Sequence, residues 1–351
     1  MILVLWLLGG IVLGALTERV VPRRSIPDGA SSTPSTVGQP PTRGRRQRSR
    51  RGILAWSALA LVVVLVAATL GGYLWANSVF NRIEKVDVTA QLSHGTATNY
   101  LLVGSDNGRA GSHQRAGVAG ARSDTIMVLR VQGGSAKMLS LNRDLFVTNP
   151  VTGQKGRLNA TYNAGPANLV KAVTTDLAIP IDRYIEIDFV SFGGLVDSFG
   201  GIDVDFAQPA FDLASGLDVK QAGRVHLDGT QALAYVRSRH YYETINGKPT
   251  PEKGLPDVNR TKRQQIFLRA IMAKAGAKRN PITLMSAATK MTKGLRIDDD
   301  MTLFDAVRFA WRMGQLRPES VPLPVVARVT AGGADVLDLG PGADQVLAQF
   351  R

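Results

Sequence analysis

The chain has 351 residues, 44% hydrophobic and 20% charged, with a formal net charge of +14, which suits one large globular domain or two small ones. It contains no cysteine, so disulfides, zinc–thiolate sites and cysteine nucleophiles are excluded. The charge is uneven: residues 1–76 carry nine Arg against two acids, and residues 77–351 carry 33 Lys and Arg against 26 Asp and Glu. The larger part is mildly basic, with room for an acidic ligand but without the dense basic stripe of a nucleic-acid binder; no nucleic-acid partner is expected.

In chain order, residues 1–16 are apolar but short for a bilayer span, so they read as an interfacial helix or a short extra membrane segment. Residues 22–52 are rich in Pro, Ser, Thr, Gly and Arg and read as disordered. Residues 43–51 hold six Arg in nine positions, and residues 53–75 follow with no charge at all. About 20 helical residues cross a hydrocarbon core, and the arginines before the run place residues 17–52 in the cytoplasm and everything after 76 outside. The run is too long for a cleaved signal peptide. The expected organisation is therefore a basic cytoplasmic segment at 1–52, a transmembrane helix at 53–76, a juxtamembrane linker at 77–96 and an extracytoplasmic domain at 97–351, with the protein a single-pass component of the cell membrane.

In that domain residues 100–103 form a short apolar run ending at Gly104, and a polar Gly-rich loop follows to Ser123. Residues 125–131 and 136–141 read as strands joined by a Gly133-Gly134 turn. Pro166 opens a helix to about Leu177; residues 184–187 form a strand; Asp188 caps a helix that ends at Gly200-Gly201. Residues 202–206 form a strand, and Asp228 caps a short helix through Tyr235. Helices are expected over 259–278, with Ile266, Ala270 and Ile271 on its apolar side, and over 302–313; closing strands are expected over 321–330 and 336–339. Interleaved strands and helices predict an α/β domain, a mixed central sheet with helices on both faces.

The chemistry lies in scattered Arg and Asp residues. Asp106 follows one strand and Asp124 begins the next; if the strands pair, two carboxylates meet at one sheet edge, a donor set for Mg²⁺, with Mn²⁺ as the alternative. Taken singly, each reads as a turn or strand-end cap. Arg109 and Arg115 in the same loop read as solvated. Arg143-Asp144 directly follows the strand at 136–141. Arg237 and Arg239 share a face only on extended chain, so the helix before them is expected to stop near Val236 and leave two guanidinium forks for phosphate. Asp257, Arg260 and Gln264 fall at i, i+3 and i+7, one helical stripe. No histidine has a spacing that suggests a metal site or a triad; His240, beside Arg239, is the one to watch. No P-loop or dinucleotide fingerprint is present.

The ordered series Asn99-Tyr100-Leu101-Leu102-Val103-Gly104-Ser105-Asp106, Arg122-Ser123-Asp124-Thr125, Ser140-Leu141-Asn142-Arg143-Asp144 and Arg157-Leu158-Asn159-Ala160 resembles the LytR-CpsA-Psr family. The match continues through Gly200-Gly201-Ile202-Asp203-Val204, Leu227-Asp228-Gly229, Ala232-Leu233-Ala234-Tyr235-Val236-Arg237-Ser238-Arg239 and Asp257, Arg260, Arg263-Gln264-Gln265, covering roughly residues 97–270. The resemblance implies transfer of a glycopolymer from a polyprenyl-pyrophosphate carrier to a muramic-acid hydroxyl of peptidoglycan, forming a phosphodiester. It implies Asp106 and Asp124 as ligands of Mg²⁺; Arg122, Arg143, Arg157, Arg237, Arg239, Arg260 and Gln264 as the pyrophosphate grip; and Asp257 as the residue orienting Arg260. Asp124, Arg143, Arg237 and Arg239 are the expected catalytic set, with Asp124 or Asp144 accepting the hydroxyl proton. Leu169, Val170, Val173, Phe189, Phe192 and Leu195 are candidates for lining a prenyl channel, against a reading of plain core. Arg157 stands where the family often has Lys, and Asn142 where it usually has Pro. Hydrolysis of the same carrier by water, and a non-catalytic membrane-tethered binder or regulator, are the competing functions.

Overall fold

The computed structural model describes residues 50–93, 95, 97–105, 123–254, 256–277 and 281–351. The chain divides into two compact units, 1–76 and 77–351. Helix α1 (Arg50–Phe80) crosses that boundary. Its stretch Trp56–Phe80 is 25 residues long with a mean hydropathy of 2.2, long enough at about 1.5 Å per residue to span a bilayer. Leu59, Leu61, Val62, Val63, Val64, Val66, Leu70 and Leu74 are all exposed, and a helix apolar all round suits lipid rather than water.

The second unit is built on a seven-stranded mixed sheet in the order β1 (Glu84–Val86), β14 (Leu295–Asp298), β7 (Arg183–Asp188), β2 (Thr98–Ser105), β3 (Ser123–Gln132), β4 (Ser135–Leu141), β15 (Glu319–Val321). Strands β2 and β7 run parallel, β3 antiparallel to both β2 and β4. The carboxyl ends of β2, β4 and β7 therefore share one edge with the start of β3. The β3–β4 hairpin closes through Gly133, whose φ of +59° suits glycine. Residues 77–96, expected as a linker, hold the first strand of the sheet: β1 is three residues, Glu-Lys-Val, too short to announce itself. The region expected as one closing strand at 321–330 is two, β15 and β16 (Val325–Val329), broken at Pro322 and Pro324. Strand β16 pairs with β17 (Asp335–Leu339).

Successive residues of β2, β3 and β4 face opposite cores, as in a sheet covered on both sides. Leu101, Val103, Ile126, Val128, Leu139 and Leu141 join Tyr162, Leu169, Val170 and Val173 from α2 (Leu158–Thr161), the turn after it and α3 (Pro166–Asp176). On the other face Tyr100, Met127, Leu129 and Met138 meet Met272 of α6 (Pro256–Ala277) and Met313 of α8 (Leu303–Met313). Among the described residues a further core gathers β8 (Ile202–Phe206), β11 (Gly223–Leu227), α4 (Phe189–Ser198), α5 (Gly229–Arg237), α6 and α7 (Pro281–Met291). A small sheet of β10 (Leu217–Val219), β9 (Ala210–Asp212), β12 (Tyr242–Ile245) and β13 (Lys248–Pro251) borders it. Buried Glu186 on β7 accepts from the hydroxyls of Tyr162 (2.6 Å) and Tyr184 (2.7 Å) and from Arg296 (3.2 Å), so its charge is fully engaged.

Residues named as prenyl-channel candidates fall in two separate cores. Leu169, Val170 and Val173 are fully buried in the first, whereas Phe192 and Leu195 pack on the other; the side chain of Phe189 lies outside the described residues. They do not line one channel.

Helices α4 and α5 cross at glycine. A Cβ on Gly229 would stand 2.3 Å from the Gly193 carbonyl oxygen, whereas one on Gly134 meets nothing within 4 Å. Gly229→Ala is expected to destabilise the domain by about 1–3 kcal/mol, the usual cost of overpacking, and Gly134→Ala to leave it within about 0.5 kcal/mol. Denaturant titration of the two variants measures the difference.

Candidate functional site

The shared edge carries Asp124 at the start of β3 and Arg143 after β4. Strands β2 and β3 pair to their ends: Ser105 lies opposite Ser123 and Gly104 opposite Thr125, with a register shift between them. Asp124 is the extra residue of this bulge, the device that re-aims a side chain at a sheet edge. Asp106 and Arg122, which flank the pair, and Arg109 and Arg115 lie outside the described residues, as does the side chain of Asp124. The carboxylates expected to hold Mg²⁺ therefore lie outside the described side chains. Among the described residues no group of three or more His, Cys, Asp or Glu is placed to hold a metal.

Arg143 and Asp144 form the turn after β4. The Asn142 side chain accepts from the Asp144 N–H (3.1 Å) and its carbonyl from the Leu145 N–H (3.1 Å). This is an Asx turn, and it rigidifies without proline the loop that carries Arg143. The Asn159 N–H donates to the Arg143 carbonyl at 2.9 Å. Asp144 lies between two guanidiniums: Arg143 Nε is 3.3 Å from Oδ2, and Arg157 Nε is 3.4 Å from Oδ1. The first is a hydrogen bond; the second pair is too poorly aligned for one, and Oδ1 is left with none. Arg157 also donates to the Asp335 carbonyl at 2.9 Å, so it is tied to the strand pairs beside the edge. The carboxylate thus lies between the Arg143 and Arg157 guanidiniums and helps to position both.

The second arginine segment is clamped from all sides. Helix α5 runs one residue further than expected and takes in Arg237, with Ser238 as its C-cap at φ −58°, ψ 129°. A helix end leaves carbonyls without partners; here α6 supplies them. Gln264 Nε2 donates to the Val236 carbonyl (3.4 Å) and Arg263 to the Ser238 carbonyl (2.7 Å). Arg263 also pairs with Glu252 at 2.6 Å and lies over the Tyr241 ring. On the other side Asp212, at the end of β9, accepts from the Ser238 hydroxyl (2.6 Å) and the N–H groups of Arg239 (2.9 Å) and His240 (3.0 Å) through one oxygen, and from Ala214 and Ser215 through the other.

Helix α6 carries this clamp to the sheet. Gln265 Nε2 donates to the Ser140 hydroxyl at 3.1 Å, three residues before Arg143. Arg260, Arg263 and Gln264 are all buried. The helix begins at Pro256, so Asp257 lies in its first turn, with its side chain outside the described residues. Ile266, expected on the apolar side, is exposed; Phe267, Ile271 and Met272 are buried instead. These contacts thus tie the segments that bear Arg143, Arg237 and Arg239 to α6, which carries Arg260 and Gln264. His240 is exposed and contributes its backbone. Sequence reasoning missed Asp212 and assigned no role to Arg263 or Gln265. The Asx-turn pattern Asp212-Leu213-Ala214-Ser215-Gly216 and the i, i+3 spacing of Arg260 and Arg263 were the available signals.

The family profile of the LytR_cpsA_psr family matches residues 74–326. The chain belongs to this family. It is 31% identical to the "Probable cell wall biosynthesis protein LcpB" of Corynebacterium glutamicum, over 88% of this chain and 74% of that one. It is 30% identical to the "Polyisoprenyl-teichoic acid--peptidoglycan teichoic acid transferase TagU" of Enterococcus faecalis, over 69% of this chain and 78% of that one. Among solved structures, the "LytR-Csp2A-Psr enzyme from Actinomyces oris" superposes with a TM-score of 0.62 at 26% identity, over 77% of this chain and 96% of that one. "TagT bound to LIIa-WTA" superposes with a TM-score of 0.55 at 26% identity, over 73% of this chain and 89% of that one.

Burial alone would raise the Asp212 carboxyl, but hydrogen bonds from Ser238, His240, Ser215 and Ala214 outweigh it and hold it below its ordinary value. A group depressed in the folded state stabilises fully above the ordinary carboxylate range and loses that contribution as pH falls through the depressed value. Asp212→Asn is therefore expected to lower Tm by a constant amount from pH 7 to pH 5, with the gap to the native chain narrowing below about pH 4. Thermal unfolding of both proteins across that range checks the sign.

Proposed function

We propose that the chain transfers a glycopolymer from a polyprenyl-pyrophosphate carrier to peptidoglycan. The observation that carries the reading is that α6, which bears Arg260, is tied to the strand before Arg143 and to the segment bearing Arg237 and Arg239 through Ser140–Gln265, Gln264–Val236 and Arg263–Ser238. Arg143 at the carboxyl end of β4, with the arginines of the α5 end and of α6 tied to the same strand, suits a doubly charged phosphate ligand placed where α/β sheets bind ligands. The named activity of the Enterococcus relative supports the transfer, and the bound ligand of TagT supports a wall-polymer substrate.

The muramic-acid hydroxyl oxygen attacks the phosphorus that bears the glycan, and the bond from that phosphorus to polyprenyl phosphate breaks. The hydroxyl proton goes to Asp124 or Asp144. Arg122, Arg143, Arg157, Arg237, Arg239 and Arg260, with Gln264, hold the pyrophosphate and stabilise charge on the leaving phosphate; Asp257 orients Arg260. Asp106 and Asp124 would hold Mg²⁺ or Mn²⁺, which when bound neutralises pyrophosphate charge. The domain works outside the cell membrane, anchored by α1, with the basic segment before α1 on the cytoplasmic side.

The full chain in detergent, given a polyprenyl-pyrophosphate glycan, Mg²⁺ and peptidoglycan, is expected to yield a glycan–peptidoglycan conjugate, and chelation with EDTA to abolish it. Arg143→Ala, Arg239→Ala and Asp124→Ala are each expected to lower turnover at least ~100-fold, the scale of removing one charge-stabilising group. Release of free phosphorylated glycan without conjugate assigns hydrolysis instead, and binding with neither product assigns a carrier-binding protein.

A further inference from the structure

Helix α8 has an outer face that stays partly exposed. Its start is fixed by a capping box between Thr302 and Asp305. Its inner side packs Leu303 and Ala306 against Phe80, Ile297 and Met301, and stacks Phe309 on Tyr100 with centroids 4.6 Å apart. Phe304, Val307 and Trp311, at i, i+3 and i+7, remain 61%, 38% and 41% exposed. Arg308 and Arg312, both exposed, run beside that stripe. A short helix with an aromatic-rich apolar stripe bordered by arginines has the pattern of one lying in a lipid interface.

Two observations say what covers the stripe. The first is continuity. Phe80, the last residue of the apolar span, is buried in the same cluster as Leu303 and Ala306. Lys85 clips the join, donating to the Met301 carbonyl at 3.0 Å and lying over the Phe80 ring at 3.9 Å. The chain leaving the span is thus built into the root of α8. The second is charge. Asp305 is turned to Thr302 and Arg183, and Arg308 is 3.9 Å from it. Asp299 is engaged by Thr89. Arg308 and Arg312 border the stripe, and arginines there attract anionic headgroups.

We propose that α8 docks on the surface of the bilayer that holds α1, with Phe304, Val307 and Trp311 at the headgroup–acyl boundary and Arg308 and Arg312 on anionic lipid headgroups. This rests on the reading of α1 as a membrane anchor. The absence of cysteine makes single-cysteine labelling of the full chain direct. Leu65→Cys, Val307→Cys and Leu213→Cys would each carry an environment-sensitive fluorophore in nanodiscs of phosphatidylcholine with phosphatidylglycerol, with iodide as the aqueous quencher. The Leu65 probe reads the anchor, and the Leu213 probe, at a position 90% exposed, reads open solvent. The Val307 probe is expected to shift its emission to the blue and lose most of its iodide quenching; adding R308E and R312E is expected to return it to the Leu213 level. A Val307 probe quenched as fully as the Leu213 probe, with the Leu65 probe still shielded, overturns the docking and leaves the anchor standing. A Leu65 probe open to iodide overturns the anchor reading and this one with it. Shielding at Val307 that survives R308E and R312E overturns the role given to the arginines.

Discussion

Helix α6 joins the parts of the domain. Arg260, Arg263 and Gln264 are buried in its first turns, where an unsatisfied polar group costs about 1–3 kcal/mol. Gln264 and Arg263 offset part of that cost by donating to the carbonyls of Val236 and Ser238 at the end of α5, while Arg263 Nε keeps no hydrogen bond. Further along, Phe267 and Ile271 enter the α4–α5 core, while Met272 enters the core on one face of the central sheet. With Gln265 on Ser140, the same helix touches β4 just before Arg143. Moving α6 would separate the two arginine segments and open two cores together.

The Arg237–His240 segment shows how a backbone is made rigid outside regular structure. Its carbonyls face α6 and its N–H groups face Asp212, whose carboxylate collects five donors. Each contact is modest alone, but the segment has no free backbone direction left in which to relax. Pre-set donors that need no reorganisation when charge develops are what phosphoryl-type transfer requires. The Asn142 turn does the same for Arg143 by a different local device.

Long apolar runs, glycine turns and caps made β2, β3, β4, β7, α1, α3, α4 and α5 readable in the sequence, because each is a local signal. Asp188 and Asp228 cap α4 and α5 as their positions suggest, accepting from Ser191 and Gln231. The three-residue strands could not be read, since their pairing is decided by distant chain. Asp212 looked like one turn residue among many; only the approach of Ser238, from 26 positions away, gives it a purpose. Ile266 misled because a helix buried on two sides has no single apolar stripe. The order of the arginines and aspartates was visible in the sequence, whereas what holds them in place was not.

The most direct measurement is a crystal structure of the full chain in detergent with a polyprenyl pyrophosphate and Mn²⁺, read for anomalous density. The account predicts a manganese peak between Asp106 and Asp124, with the diphosphate within hydrogen-bond reach of Arg143, Arg237, Arg239 and Arg260. A diphosphate bound elsewhere, or manganese away from both aspartates, would contradict it.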